Sequence, residues 1–223
     1  MTEIEDEVKT EFKFSELDQS AKDHAIQKYA APDRDWWDCT YEYYKTDAEI
    51  KERGFDIDDI NFSGFSSQGD GACWKGRVDM RKFLTAHMTE PEDAAKLAIW
   101  QALYDNGDLS PYMEISRNST FYSHSNTMSI HYYGETYYGE DTTIDPRLND
   151  MFAGANAHTL YEAVGGDDEH NRIYEWALEQ ARELADRIYK DLESEYDGYF
   201  EEESFADHAD CNDWKFDEDG DMI

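Results

Sequence analysis

Positive charge is what this sequence has least of: 20 Lys and Arg stand against 53 Asp and Glu, a formal net charge of −33. That deficit excludes direct nucleic-acid binding and attraction to anionic membranes as main activities, because both need a basic footprint. Cysteine is scarce as well. Cys39, Cys73 and Cys211 are an odd number, widely spaced and without Cys-x-x-Cys, which excludes a disulfide framework and a cysteine-only zinc site and leaves three ordinary thiols. Long apolar runs are missing: nothing approaches the ~18 residues of a membrane span. The start Thr2-Glu3-Ile4-Glu5-Asp6-Glu7 has neither the basic end nor the apolar stretch of a secretory signal, so a cytoplasmic protein is expected. In that compartment the sequons at Asn61-Phe62-Ser63 and Asn118-Ser119-Thr120 carry no meaning. With only 4 prolines and no Pro- or Gly-rich linker, the 223 residues read as one domain, 1–223, with residues 1–12 flexible.

What is present begins with rings. The hydrophobic fraction of 39% is low, but aromatics reach 15%, so large rings supply burial that aliphatics do not. Ser15 followed by Asp18 reads as a helix-capping pair ahead of Leu17, Ala21, Ala25 and Tyr29 on one face, with a stop near Pro32. A second periodic segment carries Trp37, Tyr41, Tyr44 and Ala48 and ends at Gly54. Phe55-Asp56-Ile57 and Ile60-Asn61-Phe62 alternate around Asp58-Asp59, a strand with a bend or bulge. The glycine-rich stretch from Phe62 to Trp74 reads as a hairpin with an irregular tip.

Thr89 with Glu92 reads as a capping box, followed by Ala95, Ala98, Ile99, Ala102 and Leu103 at helical spacing and a stop at Gly107. Tyr112–Ile115, Phe121–His124 and Met128–Tyr132 read as a three-stranded meander, and Tyr133 to Asn149 as loop. The longest helix starts after Asp167-Asp168 and carries Ile173, Ala177, Ala181, Leu184, Ile188, Leu192 and Tyr196 at intervals of three or four. Trp214 to Ile223 reads as a small closing hairpin. The expected fold is therefore α+β: an antiparallel sheet, made of a hairpin and a three-stranded meander, packed with several helices including a long C-terminal one.

Three constellations resemble chemical sites, and none carries the chemistry. Asp217-Glu218-Asp219-Gly220-Asp221 fails as a calcium loop, because Lys215 stands where the first carboxylate belongs and the bidentate glutamate falls beyond Ile223. Gly64, Gly69 and Gly71 match neither phosphate-loop nor dinucleotide spacing, and Asp70 would repel an anion. His24, His87, His124, His131, His158, His170 and His208 are scattered without ligand spacing. No catalytic residue, cofactor or metal site is assigned, and the protein reads as a binding protein rather than an enzyme.

The charge is the positive signal. A monomer of 26.0 kDa exposes on the order of 10,500 Å², or roughly 320 Å² per net charge. Duplex DNA offers one charge per about 110 Å². Nucleic-acid mimicry therefore requires clustering, and residues 190–223 supply it with 14 acidic residues against Lys190 and Lys215. A solvated face, a mobile tail or a salt-adapted surface would account for the same run.

The stretch Phe14-Ser15-Glu16-Leu17, Ala21-Lys22, Trp36-Trp37-Asp38, Tyr41-Glu42, Gly54 and Ile57-Asp58-Asp59-Ile60 leads into Phe62-Ser63-Gly64-Phe65, Ser67-Gln68-Gly69-Asp70-Gly71-Ala72 and Gly76. It resembles a family of acidic phage and prophage proteins, some labelled as the antitoxin of a toxin–antitoxin stability system. Leu192-Glu193, Glu195-Tyr196 and the turn from Phe216 to Gly220 look like the C-terminal part of that family. The resemblance implies a phage-type setting, hence the cytoplasm of a host cell.

The leading expectation is a phage-encoded anti-defence inhibitor that presents carboxylates to the basic surface of a nucleic-acid-handling enzyme or defence complex. The candidate partner-binding residues are Asp191, Glu193, Glu195, Glu201, Glu202, Glu203, Asp207, Asp210 and Asp213. The alternative is an antitoxin-like protein that neutralises one partner through shape, using Trp36, Trp37, Ser63, Gln68 and Asp70. A third reading, an enzyme of unrecognised class, would need a polar site at His124 and His131.

Overall fold

The computed structural model describes residues 11–32, 35–119, 121–132 and 155–223. The chain is α+β, with a four-stranded antiparallel sheet and a long C-terminal helix. It divides into two compact units, one made of residues 1–38 and 191–223 and the other of residues 39–190.

In the larger unit, helices α2 (Asp38–Thr46) and α3 (Ala48–Glu52) occupy the expected aromatic segment. They are separate helices because Asp47 accepts the Ile50 N–H at 2.9 Å and starts a new one. Gly54 then turns the chain with φ +94; a Cβ there would lie 2.7 Å from the Asp79 carbonyl. Strands β1 (Phe55–Ser63) and β2 (Gly71–Asp79) form the expected hairpin, with the register slipping between Ile57 and Asp59. The extra residue, Asp58, returns Ile60 to the buried face already held by Phe55 and Ile57. Opposite Ile57 stands Gly76, where a Cβ would come within 2.0 Å of the Asp56 carbonyl.

Helix α4 (Met80–His87) follows, capped by the Asp79 carboxylate. Helix α5 (Ala94–Asp105) starts through a 3-10 turn at Pro91–Asp93 with no side-chain cap, so the Thr89–Glu92 box does not form. Strands β3 (Tyr112–Arg117) and β4 (Met128–Tyr132) complete the order β1-β2-β3-β4. Phe121–His124, expected as the middle strand of the meander, is not a strand: β3 pairs directly with β4. Phe121 is 89% exposed, so that segment has no apolar face to bury and no reason to join the sheet. The expected loop from Tyr133 to Asn149 lies outside the described residues.

Helix α6 (Ala157–Ala163) precedes α7 (Gly166–Gly198), the expected long helix. Within the larger unit its Ile173, Ala177, Ala181, Leu184 and Ile188 are buried. Trp74, fully buried on β2, donates its indole N–H to the Ala181 carbonyl at 2.9 Å and ties this helix to the sheet.

The smaller unit is an aromatic knot. Phe14, Phe205 and Phe216 meet edge-on or tilted, with centroids 4.9 to 6.4 Å apart, and Tyr29 and Trp214 pack against them. Around them lie α1 (Gln19–Tyr29) and α8 (Glu202–Cys211). Helix α1 is capped by Asp18, which accepts the Ala21 N–H at 2.9 Å; Ser15 sits in a 3-10 turn instead. The C-terminal segment closes through bridges Phe12↔Phe216 and Phe216↔Met222. Phe12 therefore belongs to a paired backbone, although it falls in the stretch expected to be flexible; residues 1–10 lie outside the described residues. Gly220, at φ +88, passes so close to α1 that a Cβ would lie 2.2 Å from the Ala21 carbonyl.

Candidate functional site

Helix α8 arises from a spacing that its acidity obscures. Phe205 and Ala209 are buried at i and i+4, while Glu203, Asp207 and Asp210 are exposed at i, i+4 and i+7. All nine acidic candidates fall in the smaller unit. That unit holds 25 acidic against 6 basic residues, so −19 of the net −33 resides in 71 of the 223 residues.

The carboxylates are not equivalent. Glu202 accepts from Lys22 at 2.7 Å and from Gln19 at 3.1 Å, which hold its pKa below the usual carboxylate range. Asp213 is paired with Lys215 at 2.9 Å and is lowered by that contact. Asp210 lies 3.9 Å from Lys13. Glu201, Glu203 and Asp207 are exposed and form no ion pair among the described residues.

Beside them is a groove of about 550 Å³ within the same unit, lined by Tyr29, Pro32, Glu195, Tyr199, Phe205, His208 and Trp214 among others. The His208 and Trp214 rings are stacked at 5.1 Å and form a flat wall. This groove is not legible in the sequence, because its residues come from separate segments.

The Asp217–Asp221 loop turns on itself, with the Asp217 carboxylate accepting the Asp219 and Asp221 N–H groups at 3.1 and 2.8 Å. The Asp221 carboxylate is occupied by Lys28 at 2.6 Å and His24 at 2.8 Å, which hold its pKa at about 2. Among the described residues no group of three or more His, Cys, Asp or Glu is placed to hold a metal. The same residues include no helix long and apolar enough to cross a membrane.

The alternative residues are divided between the units. Trp36 and Trp37 belong to the smaller one, where Trp36 is buried against Trp37 at 5.7 Å and Tyr196 at 5.6 Å. Ser63, Gln68 and Asp70 belong to the larger one, at the hairpin tip. There Asp70 accepts the Ser66 and Ser67 N–H groups at 2.8 and 2.6 Å and the Ser67 hydroxyl at 2.8 Å; the Ser67 contacts lower its pKa. Asp70 thus orders the tip, where Ser66, Ser67 and Gln68 are exposed. The Ser63 hydroxyl is buried without a hydrogen-bond partner among the described residues. The His124 and His131 rings have different partners: His124 accepts the Asn126 N–H at 3.1 Å and His131 meets Ser129 at 2.8 Å.

Sequence reasoning also missed a buried polar cluster in the larger unit. Tyr161 donates to Asp167 at 2.7 Å and lies 3.0 Å from His170 Nδ1, and Tyr174 contacts His170 Nε2. With the Tyr161 proton directed at Asp167, Nδ1–H donates to the Tyr161 oxygen and Nε2 accepts from Tyr174, the pattern of a neutral imidazole. Burial holds the His170 pKa at about 4, against a smaller opposing pull from Asp167. The imidazole stacks on the fully buried Trp100 at 5.4 Å, and the cluster serves the core rather than a cleft.

With this geometry in place, a family comparison locates the chain. Residues 36–202 match the family described as Domain of unknown function (DUF8835), which is more than half of the sequence. The chain belongs to this family. No curated protein and no solved structure matches it. The DUF8835 match covers the whole larger unit and stops one residue into α8. Asp191, Glu193, Glu195, Glu201 and Glu202 lie inside it, with Trp36, Trp37, Ser63, Gln68 and Asp70; Glu203, Asp207, Asp210 and Asp213 lie beyond it.

Proposed function

We propose that the protein is a phage-type inhibitor that binds through its acidic unit to the basic surface of a nucleic-acid-handling enzyme or defence complex, and that it acts by occupancy rather than by catalysis. The observation that carries this reading is the uneven charge: −19 on the 71 residues of the smaller unit, with Glu201, Glu203 and Asp207 exposed and unpaired among the described residues. A field of one sign steers an oppositely charged partner, raises its association rate and makes binding salt-sensitive. The test is capture from host lysate on immobilised protein, eluted in steps of rising salt with and without competing DNA. A nucleic-acid-binding protein released at moderate salt and displaced by DNA is expected. Its capture should be lost when Glu201→Gln, Glu203→Gln and Asp207→Asn are combined, and unchanged capture by that variant would refute the surface.

The antitoxin-like reading has one observation of its own. The hairpin tip is ordered by Asp70, exposes Gln68 and lies wholly within the family match. It predicts a single partner that resists salt, ignores DNA and is lost on Gln68→Ala.

A further inference from the structure

We propose that the cleft where β1 begins and β2 runs into α4 is a binding site for a small phosphomonoester. The cleft lies within the larger unit and within residues 36–202, so it is independent of the acidic unit and of the partner proposed for it. Its volume of about 300 Å³ is at the lower end of the ~300–1,000 Å³ of ligand clefts, with room for a small carbon skeleton beside a phosphate. Its charge is the anomaly. The chain has more than two acidic residues for each basic one, yet three cations, Lys51, Arg77 and Lys82, line this cleft against two carboxylates, Asp56 and Asp79. Both carboxylates are already committed. Asp56 pairs with Arg77 at 3.3 Å, while Asp79 caps α4 by accepting the Arg81 and Lys82 N–H groups at 3.1 and 3.4 Å and lies 3.5 Å from the Arg81 guanidinium.

The two lysines are not committed. Lys51 and Lys82 are exposed and form no ion pair among the described residues; the Lys82 ammonium donates to the Lys51 carbonyl at 3.5 Å, a neutral acceptor that leaves its charge uncompensated. Each ammonium is a point charge with three donors, and a phosphate monoester offers three acceptor oxygens and close to two negative charges near pH 7, where a carboxylate offers one charge. The buried Phe55 and the Tyr112 ring supply an apolar wall for the carbon part of the ester. The net charge of −33 does not oppose a ligand of this size. At physiological salt a charge is felt over about 8 Å, so a small dianion in the cleft responds to the cations that line it, whereas a nucleic-acid strand would extend beyond them over the excess of carboxylates.

The experiment is an amide NMR titration of the full-length protein at physiological salt with adenosine monophosphate and with glucose 6-phosphate, and with adenosine as the uncharged control. Both phosphates are expected to give saturable shifts at residues 51–56, 77–82 and 112 with dissociation constants on the order of 100 µM, and adenosine to bind at least about tenfold more weakly. Lys51→Gln and Lys82→Gln should each weaken the phosphates about threefold, and together about tenfold. Lys75→Gln removes the same charge from an exposed position on β2 that does not line the cleft, and should leave affinity within about 1.5-fold. Absence of saturable shifts with both phosphates up to about 10 mM overturns the site. Adenosine that binds as well as its monophosphate overturns phosphate recognition and the proposal with it. Affinity unchanged in the double variant, or lost as fully in Lys75→Gln, overturns it too.

Discussion

Burial of His170 couples the stability of the larger unit to pH. The ring is 3% exposed, and its pKa falls from 6.5 to about 4 because burial disfavours the imidazolium. Above about pH 6.5 the imidazole is neutral folded or unfolded, and it adds no pH dependence. Between 6.5 and about 4 the unfolded chain takes up a proton that the folded chain refuses, so stability falls as pH falls. The full gap corresponds to roughly 3 kcal/mol, of which about 2 kcal/mol is reached by about pH 5. Protonation of other groups changes stability in the same range, so the useful quantity is a difference. His170→Gln keeps hydrogen-bonding capacity between Tyr161 and Tyr174 and does not titrate. Urea unfolding of both proteins at about pH 7, 6 and 5 is expected to show the stability advantage of the unaltered protein shrinking by about 2 kcal/mol on acidification. An NMR titration of the ring should show no protonation down to about pH 5. A difference independent of pH, or a ring that titrates near 6.5, would refute the reasoning.

Three further outcomes follow from single contacts. Trp74→Phe removes the donor to the Ala181 carbonyl and part of a fully buried ring, and should lower unfolding free energy by roughly 2–3 kcal/mol in urea denaturation. Gly220→Ala forces a Cβ to 2.2 Å from the Ala21 carbonyl at φ +88, and is expected to cost about 3 kcal/mol or more and to make residues 202–223 the first sites of limited proteolysis. Asp70→Ala strips the acceptor from the Ser66 and Ser67 N–H groups, and hydrogen exchange at those two amides should rise to loop rates while amides of β3 stay protected.

Much of the fold was legible because it depends on periodicity. The long helix follows from apolar residues at intervals of three and four, and the β1 bulge from an alternation that breaks at Asp58 and resumes one residue out of phase at Ile60. The misread segments were those where residue type and burial disagree. Phe121 and Tyr122 have strand-forming side chains, yet they are 89% and 60% exposed, and aromatic rings favour a strand only where a face can be buried. Helix α8 was overlooked for the opposite reason: Phe205 and Ala209 are a thin stripe among carboxylates, and charge masks the period. The groove and the His170 cluster were invisible because each joins residues from distant or differently read segments, such as Tyr29 with Trp214 and Trp100 with His170.

The charge is unevenly distributed between the two units. A coat added for solubility alone would follow chain length, giving the smaller unit about −10 or −11 of the total −33 for its 71 of 223 residues; it holds −19. Like charges at that density repel one another and weaken the unit that bears them. The unit compensates with a core built from rings rather than aliphatics and with lysines held on particular carboxylates, Lys22 on Glu202, Lys28 on Asp221 and Lys215 on Asp213. Those ion pairs leave Glu201, Glu203 and Asp207 unneutralised on or next to one helix. Neutralising these three should therefore raise the thermal stability of the free protein while abolishing partner capture, opposite changes that a loss of folding cannot produce.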